Sequence, residues 1–198
     1  FLENPQGELR PPELSKATPG RMNPAGISVF YGALTEETAI AEVRPFAGSL
    51  VVVGEFNATR KLRLLDLSRI GIGFTGSIFH PEYEQKAARL HFLQSFHSLI
   101  TKPIQPNEES LEYLPTQAVA EYVANILGFD GILYASAQTG GVLDDEFFRG
   151  EELTDEELKR YNIVLFGDVL DLLVFNEGTE KAVRIDSVKY NYSIKYFP

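Results

Sequence analysis

Apolar residues come in two spacings along this chain, short continuous runs and repeats of three or four, and the two kinds alternate. Residues 27–33 are apolar and aromatic, which predicts a strand. Thr35 then offers an N-cap, with Glu36 and Glu37 in the first turn of a short helix that ends before Pro45. Residues 50–56 and 62–67 are β-branched or leucine-rich runs separated by Asn57-Ala58-Thr59-Arg60, so they predict two strands joined by a turn, with a hairpin as the simplest pairing. From 81 to 100, Ala88, Phe92, Phe96 and Leu99 recur at helical spacing and predict an amphipathic helix on the sheet, ended by Pro103 and Pro106. Pro115 opens another helix with Val119, Val123 and Ile126 on one face, and Gly128 is placed to stop it. Asp130-Gly131 turns into a strand at 132–135. Residues 143–161 are acidic and predict an inserted loop with one short helix, before a buried strand at 162–166. In the tail Val183, Ile185, Val188, Tyr190, Tyr192, Ile194 and Tyr196 alternate with polar residues apart from one slip, as in a half-exposed antiparallel strand pair. At the other end, five prolines and three glycines in residues 1–26 predict an irregular arm without helix, order beginning near Ile27.

Strand pairs without an intervening helix favour an α+β fold, a mixed and largely antiparallel sheet with flanking helices, over a doubly wound parallel one. A length of 198 residues predicts one domain over 1–198, and 44% apolar with 23% charged residues is the composition of a globular protein. Eighteen basic against 28 acidic side chains leave a formal charge of −10, which argues against nucleic acid as a partner. The absence of cysteine removes disulfides and thiolate metal sites but fits either redox compartment. No apolar run approaches the roughly 18 residues of a membrane span, so no membrane partner is expected. A chain that opens on Phe1 is expected to have lost an upstream segment or to continue another domain.

Several chemistries can be weighed from motifs. Gly71-Ile72-Gly73-Phe74-Thr75-Gly76 matches a dinucleotide fingerprint, but Ser77 to Pro81 intervene before helical periodicity begins, so a loop is the better reading. His80, His91 and His97 lack cysteine partners and ligand spacing, so no metal is expected. No G-x-S-x-G elbow occurs. The acidic runs Asp144-Asp145-Glu146 and Glu151-Glu152 read as a solvated loop.

A different segment carries more. Gly20-Arg21-Met22-Asn23-Pro24-Ala25-Gly26, the aromatic strand after it, and Ala39-Ile40-Ala41-Glu42 resemble the RES-domain family, which shares G-R-x-N-P-x-G, an aromatic strand and a helix reading A-x-x-E. Tyr113-Leu114-Pro115-Thr116-Gln117, Phe129-Asp130-Gly131-Ile132, Tyr134-Ala135-Ser136 and Asn162-Ile163-Val164-Leu165-Phe166 follow in that family's order. The resemblance spans roughly residues 21–166. It implies an ADP-ribosyltransferase-like fold and an enzyme that destroys NAD at the nicotinamide ribosyl bond, by phosphorolysis with inorganic phosphate or by hydrolysis. It also implies a cytoplasmic toxin restrained by a helix-turn-helix antitoxin. Matched residue by residue, Arg21, Tyr31, Glu42 and Ser136 are the site. The family's further arginine, on a strand before the G-R-x-N-P block, has no good counterpart: residues 1–20 hold only Arg10, beside Pro11-Pro12. That departure leaves room for an inactive NAD- or ADP-ribose-binding relative, and the same site also suits transfer of ADP-ribose to a protein.

The residue types make chemical sense for NAD without the family. A guanidinium grips a pyrophosphate through paired hydrogen bonds, the part for Arg21. A carboxylate stabilises the positive charge that grows on the ribose as the glycosidic bond breaks, the part for Glu42. Tyr31 can stack on nicotinamide, and Ser136 can bond its amide or a phosphate. These four are expected to line one cleft. Taken singly, each also has a plain structural use: a loop arginine, a core tyrosine, an exposed helix glutamate and a serine at a strand end. Gln117 and Asn162 are weaker candidates, as a helix cap and as a partner for strand backbone.

Overall fold

The computed structural model describes residues 4–67, 70, 77, 79–102, 112–139 and 154–189. The glycine motif at 71–76, the acidic runs within 140–153 and the tail from 190 onward lie outside these residues. In chain order the elements are α1 (Pro5–Glu8), β1 (Phe30–Ala33), α2 (Glu36–Glu42), β2 (Leu50–Val53), β3 (Phe56–Ala58), β4 (Leu64–Asp66), α3 (Tyr83–Thr101), α4 (Leu114–Asn125), β5 (Gly131–Ala135), α5 (Asp155–Leu158), β6 (Tyr161–Leu165), α6 (Val169–Leu172), β7 (Leu173–Phe175) and β8 (Lys181–Arg184). The class is α+β.

A four-stranded sheet in the order β1-β6-β5-β4 is the centre. β6 runs antiparallel to both β1 and β5, and β4 joins β5 in parallel. All five residues of β5 are buried, as a strand covered on both faces requires. Gly131 begins it, because a Cβ there would run into the Val164 carbonyl oxygen of β6. Asp130 secures the approach by accepting from both terminal nitrogens of Arg60 and from the Arg63 backbone N–H. One face of the sheet is covered by α3 and α4, where Phe96, Ile100, Ala120 and Val123 pack with Ile132, Tyr134 and Val164.

The hairpin expected from residues 50–67 does not form. β2 pairs with β8, β3 with β7, and β4 with β5, so three consecutive strands belong to three different sheets. Phe56 shows the cause: its ring meets Phe30 and Phe175 edge-on, at centroid distances of 5.1 and 5.2 Å, which draws β3 to β7. Strand propensity is local, whereas the partner is chosen by such distant packing.

The face of α3 also differs from the expected stripe. Ala88, Phe92 and Leu99 are exposed, while Phe96, His97, Ile100 and Thr101 are buried with Leu90 and Leu93 beside them. The buried repeat includes a histidine and a threonine, which an apolar count assigns to the outside. On α4 the buried line is Thr116, Ala120 and Val123, and Ile126 is exposed. Gly128 does end this helix, at φ +66°. The N-terminal arm is more ordered than proline content suggests: it holds α1 and a 3-10 turn at Leu14–Lys16, and Met22 lies in the core. In the tail β8 pairs with β2. Residues 169–175, with no expected element, form α6 and β7.

Candidate active site

Helix α2 brings its carboxylate to the sheet. Thr35 caps it, accepting from the Thr38 backbone N–H at 3.4 Å. The hydroxyls of Thr35 and Thr38 both donate to the Lys159 carbonyl at 3.0 Å, which seats the helix against the segment entering β6. Glu42 lies one turn beyond Thr38 and so shares its face. There Glu42 Oε1 accepts from Ser136 Oγ at 2.5 Å and from Asn162 Nδ2 at 2.8 Å. Ser136 is fully buried just past β5, and its Oγ also accepts from the Gln138 backbone N–H at 3.2 Å. Two neutral donors thus clamp one oxygen of the carboxylate. Among the described residues the other oxygen has no hydrogen-bond partner.

Sheet register puts two tyrosines and Asn162 on one face. Ala33, Asn162 and Tyr134 lie in one cross-strand row, and Tyr31, Val164 and Ile132 in the next but one, all on the same face. The Tyr134 phenol is raised above its ordinary range, first by burial and then by the negative fields of Tyr31 and Glu42. Tyr31 donates its hydroxyl hydrogen to Asn23 Oδ1 at 2.9 Å and accepts from the Met22 backbone N–H at 3.0 Å. Burial pushes its phenol up to about 12, against the opposing effects of the Met22 N–H and the Arg21 charge. The residue as a whole stays 45% exposed. Both tyrosines are therefore neutral donors at physiological pH.

The loop before β1 is lashed in place from several sides. Gly20 and Asn23 form a backbone bridge. Gln117 Nε2 donates to the carbonyls of Gly20 and Asn23, and Thr116 Oγ1 donates to that of Arg21. Asn23 Nδ2 in turn donates to the carbonyls of Thr18 and Ile27. The Arg21 guanidinium donates to the carbonyls of Leu99 at 3.0 Å and Lys102 at 2.5 Å, the C-terminal end of α3, and lies 5.7 Å from the Tyr113 ring centroid. A cation suits a helix C-terminus.

A cavity of about 780 Å³ opens between α2, β1, β2, β3 and β6. Tyr31, Glu42, Tyr134 and Asn162 line it, and Phe30, Val51 and Val53 give it an apolar side. Of the four expected site residues, then, Tyr31 and Glu42 are on the cavity wall. Ser136 stands behind Glu42, and Arg21 sits at the end of α3, near enough for its charge to act on Tyr31 and Tyr134. The histidines are elsewhere: His97 is buried between α3 and β5 with Nε2 3.5 Å from the Ala135 N–H, and His80 Nδ1 accepts from the Glu82 N–H. Burial lowers His97 to a pKa of about 4. Among the described residues no three His, Cys, Asp or Glu side chains come together as a metal cluster.

A family model described as the RES domain matches residues 7–172. The chain belongs to the RES-domain family. No curated protein and no solved structure matched it. In this RES domain the G-R-x-N-P block is the lashed loop, and the A-x-x-E block is the helix that delivers Glu42. Tyr134 and Asn23 stand in the family blocks without a role of their own there, and Asn162 reads from sequence as a partner for strand backbone. The signal for Asn162 is its own oddity, a polar residue opening an otherwise apolar strand. The signal for Asn23 is the G-R-x-N-P block itself, although an asparagine before a proline also reads as a turn.

Proposed function

We propose that this RES domain has an ADP-ribosyltransferase-like fold and consumes NAD by breaking the bond between nicotinamide and ribose. The observation that carries the reading is the clamp on Glu42: Ser136 and Asn162 fix one carboxylate oxygen beside a cavity and leave the other for substrate. As the C1″–N bond breaks, its electron pair goes to the pyridinium nitrogen and nicotinamide leaves neutral. The ribose carbon becomes positively charged, and Glu42 stabilises that charge or holds the 2″-hydroxyl. A phosphate oxygen or water then attacks C1″. Tyr31 and Tyr134, neutral and on the same face, bound the nicotinamide end, and Arg21 has guanidinium N–H groups beyond the two given to α3 for a pyrophosphate. An enzyme that removes NAD is a toxin to its own cell, so the reading includes a cytoplasmic setting and a helix-turn-helix protein antitoxin. No helix among the described residues is long and apolar enough to cross a membrane.

The test is to incubate the protein with NAD, with and without phosphate, and identify the products. Nicotinamide with ADP-ribose 1″-phosphate means phosphorolysis, and nicotinamide with ADP-ribose means hydrolysis. Unchanged NAD overturns the reading in favour of a binding module.

A further inference from the structure

Arg44 follows α2 by two residues and is the one described non-glycine residue with a positive φ, +47°. An L-residue with a Cβ is strained there, and glycine would adopt the conformation freely. Such a position in a helix-terminating turn is the usual place for glycine. An arginine in it points to a use for its side chain rather than for the turn. Val43 beside it lines the cavity, and Arg44 itself is tied to the segment that follows β5. With the Gln138 amide oxygen facing the guanidinium, Arg44 Nε donates to it at 3.2 Å and Nη2 at 3.1 Å. The Gln138 backbone N–H donates to Ser136 Oγ, and Ser136 Oγ donates to Glu42 Oε1. Gln138 thus meets the cation through its side chain and Ser136, the partner of Glu42, through its backbone. No carboxylate among the described residues pairs with Arg44, although acidic side chains outnumber basic ones by 28 to 18. Arg21, by contrast, gives two of its donors to the end of α3.

We propose that Arg44 is a further phosphate-binding residue of this site, besides Arg21, holding a phosphate oxyanion near Glu42. The inference rests on the reading of Glu42 as the reaction centre. A phosphate group can come from two sources here, the pyrophosphate of the dinucleotide or the orthophosphate that attacks C1″. A planar guanidinium with one edge on a neutral amide, and no other partner among the described residues, is suited to either. The backbone strain at Arg44 is the cost of placing that cation two residues from the carboxylate.

The strain makes the test discriminating. Arg44→Gly removes the guanidinium and relieves the backbone, so a merely structural role predicts no functional loss. Inorganic pyrophosphate and orthophosphate are titrated separately by calorimetry into the wild type and into Arg44→Gly, with thermal melts of both. The expected result is binding weakened roughly tenfold or more, with an unchanged or higher melting temperature. Loss confined to pyrophosphate assigns the dinucleotide's phosphates, and loss confined to orthophosphate assigns the nucleophile. Arg44→Lys, which keeps the charge and the strain, is expected to fall between. Binding of both anions within twofold of the wild type, or no binding of either to the wild type, overturns the proposal. Pyrophosphate bound through Arg44 by a protein that leaves NAD intact would refute the NAD reading alone, and NAD turnover with anion binding independent of Arg44 would refute the Arg44 assignment alone.

Discussion

Ser136 and Glu42 are 94 positions apart in the chain, yet their side-chain oxygens lie 2.5 Å apart. The distance is that of a short hydrogen bond from a hydroxyl to a carboxylate. It joins the end of β5 to the end of α2, so the strand that anchors the core also aims the carboxylate.

Replacing Glu42 with glutamine keeps an oxygen to accept from Ser136 and Asn162 but removes the charge. Turnover of NAD is expected to fall by roughly 10²–10³-fold with the Michaelis constant nearly unchanged, since the lost interaction belongs to the transition state. Steady-state kinetics alongside a thermal melt check this, the melt showing that the fold survives. Unaltered turnover would remove Glu42 from the chemistry.

Arg21→Lys tests two roles together. Lysine cannot span the carbonyls of Leu99 and Lys102 as a planar fork does. Stability is expected to drop by about 1–2 kcal/mol in a denaturant titration, and the Michaelis constant for NAD to rise roughly tenfold with little change in turnover at saturation. A stability loss with an unaffected Michaelis constant would leave Arg21 as a clasp on α3 only.

Tyr31→Phe removes a hydroxyl that serves Asn23 Oδ1 and the Met22 N–H at once. Leaving two buried groups unpaired is expected to cost about 1–3 kcal/mol. Hydrogen exchange of the Met22 amide should accelerate more than that of the β5 amides, because the loss loosens the loop before the sheet. Uniform acceleration would mean that the loop is held mainly by Gln117 and Thr116.

His97 sets a pH dependence of stability. Burial holds its pKa at about 4, below its ordinary value of 6.5, so the folded protein keeps it neutral. Below pH 6.5 the unfolded chain takes up a proton that the folded chain refuses. The stabilisation is thus complete above pH 6.5, declines as pH falls toward 4, and is gone below that, with a total of about 3 kcal/mol. Denaturant midpoints at pH 7 and 5 should show the decline in the wild type and much less of it in His97→Gln, which retains an acceptor for the Ala135 N–H.

The residues that mattered were visible in the chain where their chemistry is local. Thr35 announced α2, Gly128 the end of α4, and a fully apolar run announced β5, because caps, left-handed turns and buried strands depend on neighbours in sequence. The A-x-x-E and G-R-x-N-P blocks pointed to Glu42 and Arg21 in the same way. What tertiary structure alone decided was partnership. That β2, β3 and β4 go to three sheets follows from contacts such as Phe56 with Phe175, and no run of residues encodes the far side of a contact. That His97 and Thr101 face inward follows from how α3 lies on β5. That Asn162 and Ser136 converge on one oxygen of Glu42 follows from a sheet register which sets β6 between β1 and β5. Composition and periodicity act over a few residues, whereas a site built from three elements exists only once the sheet has brought them together.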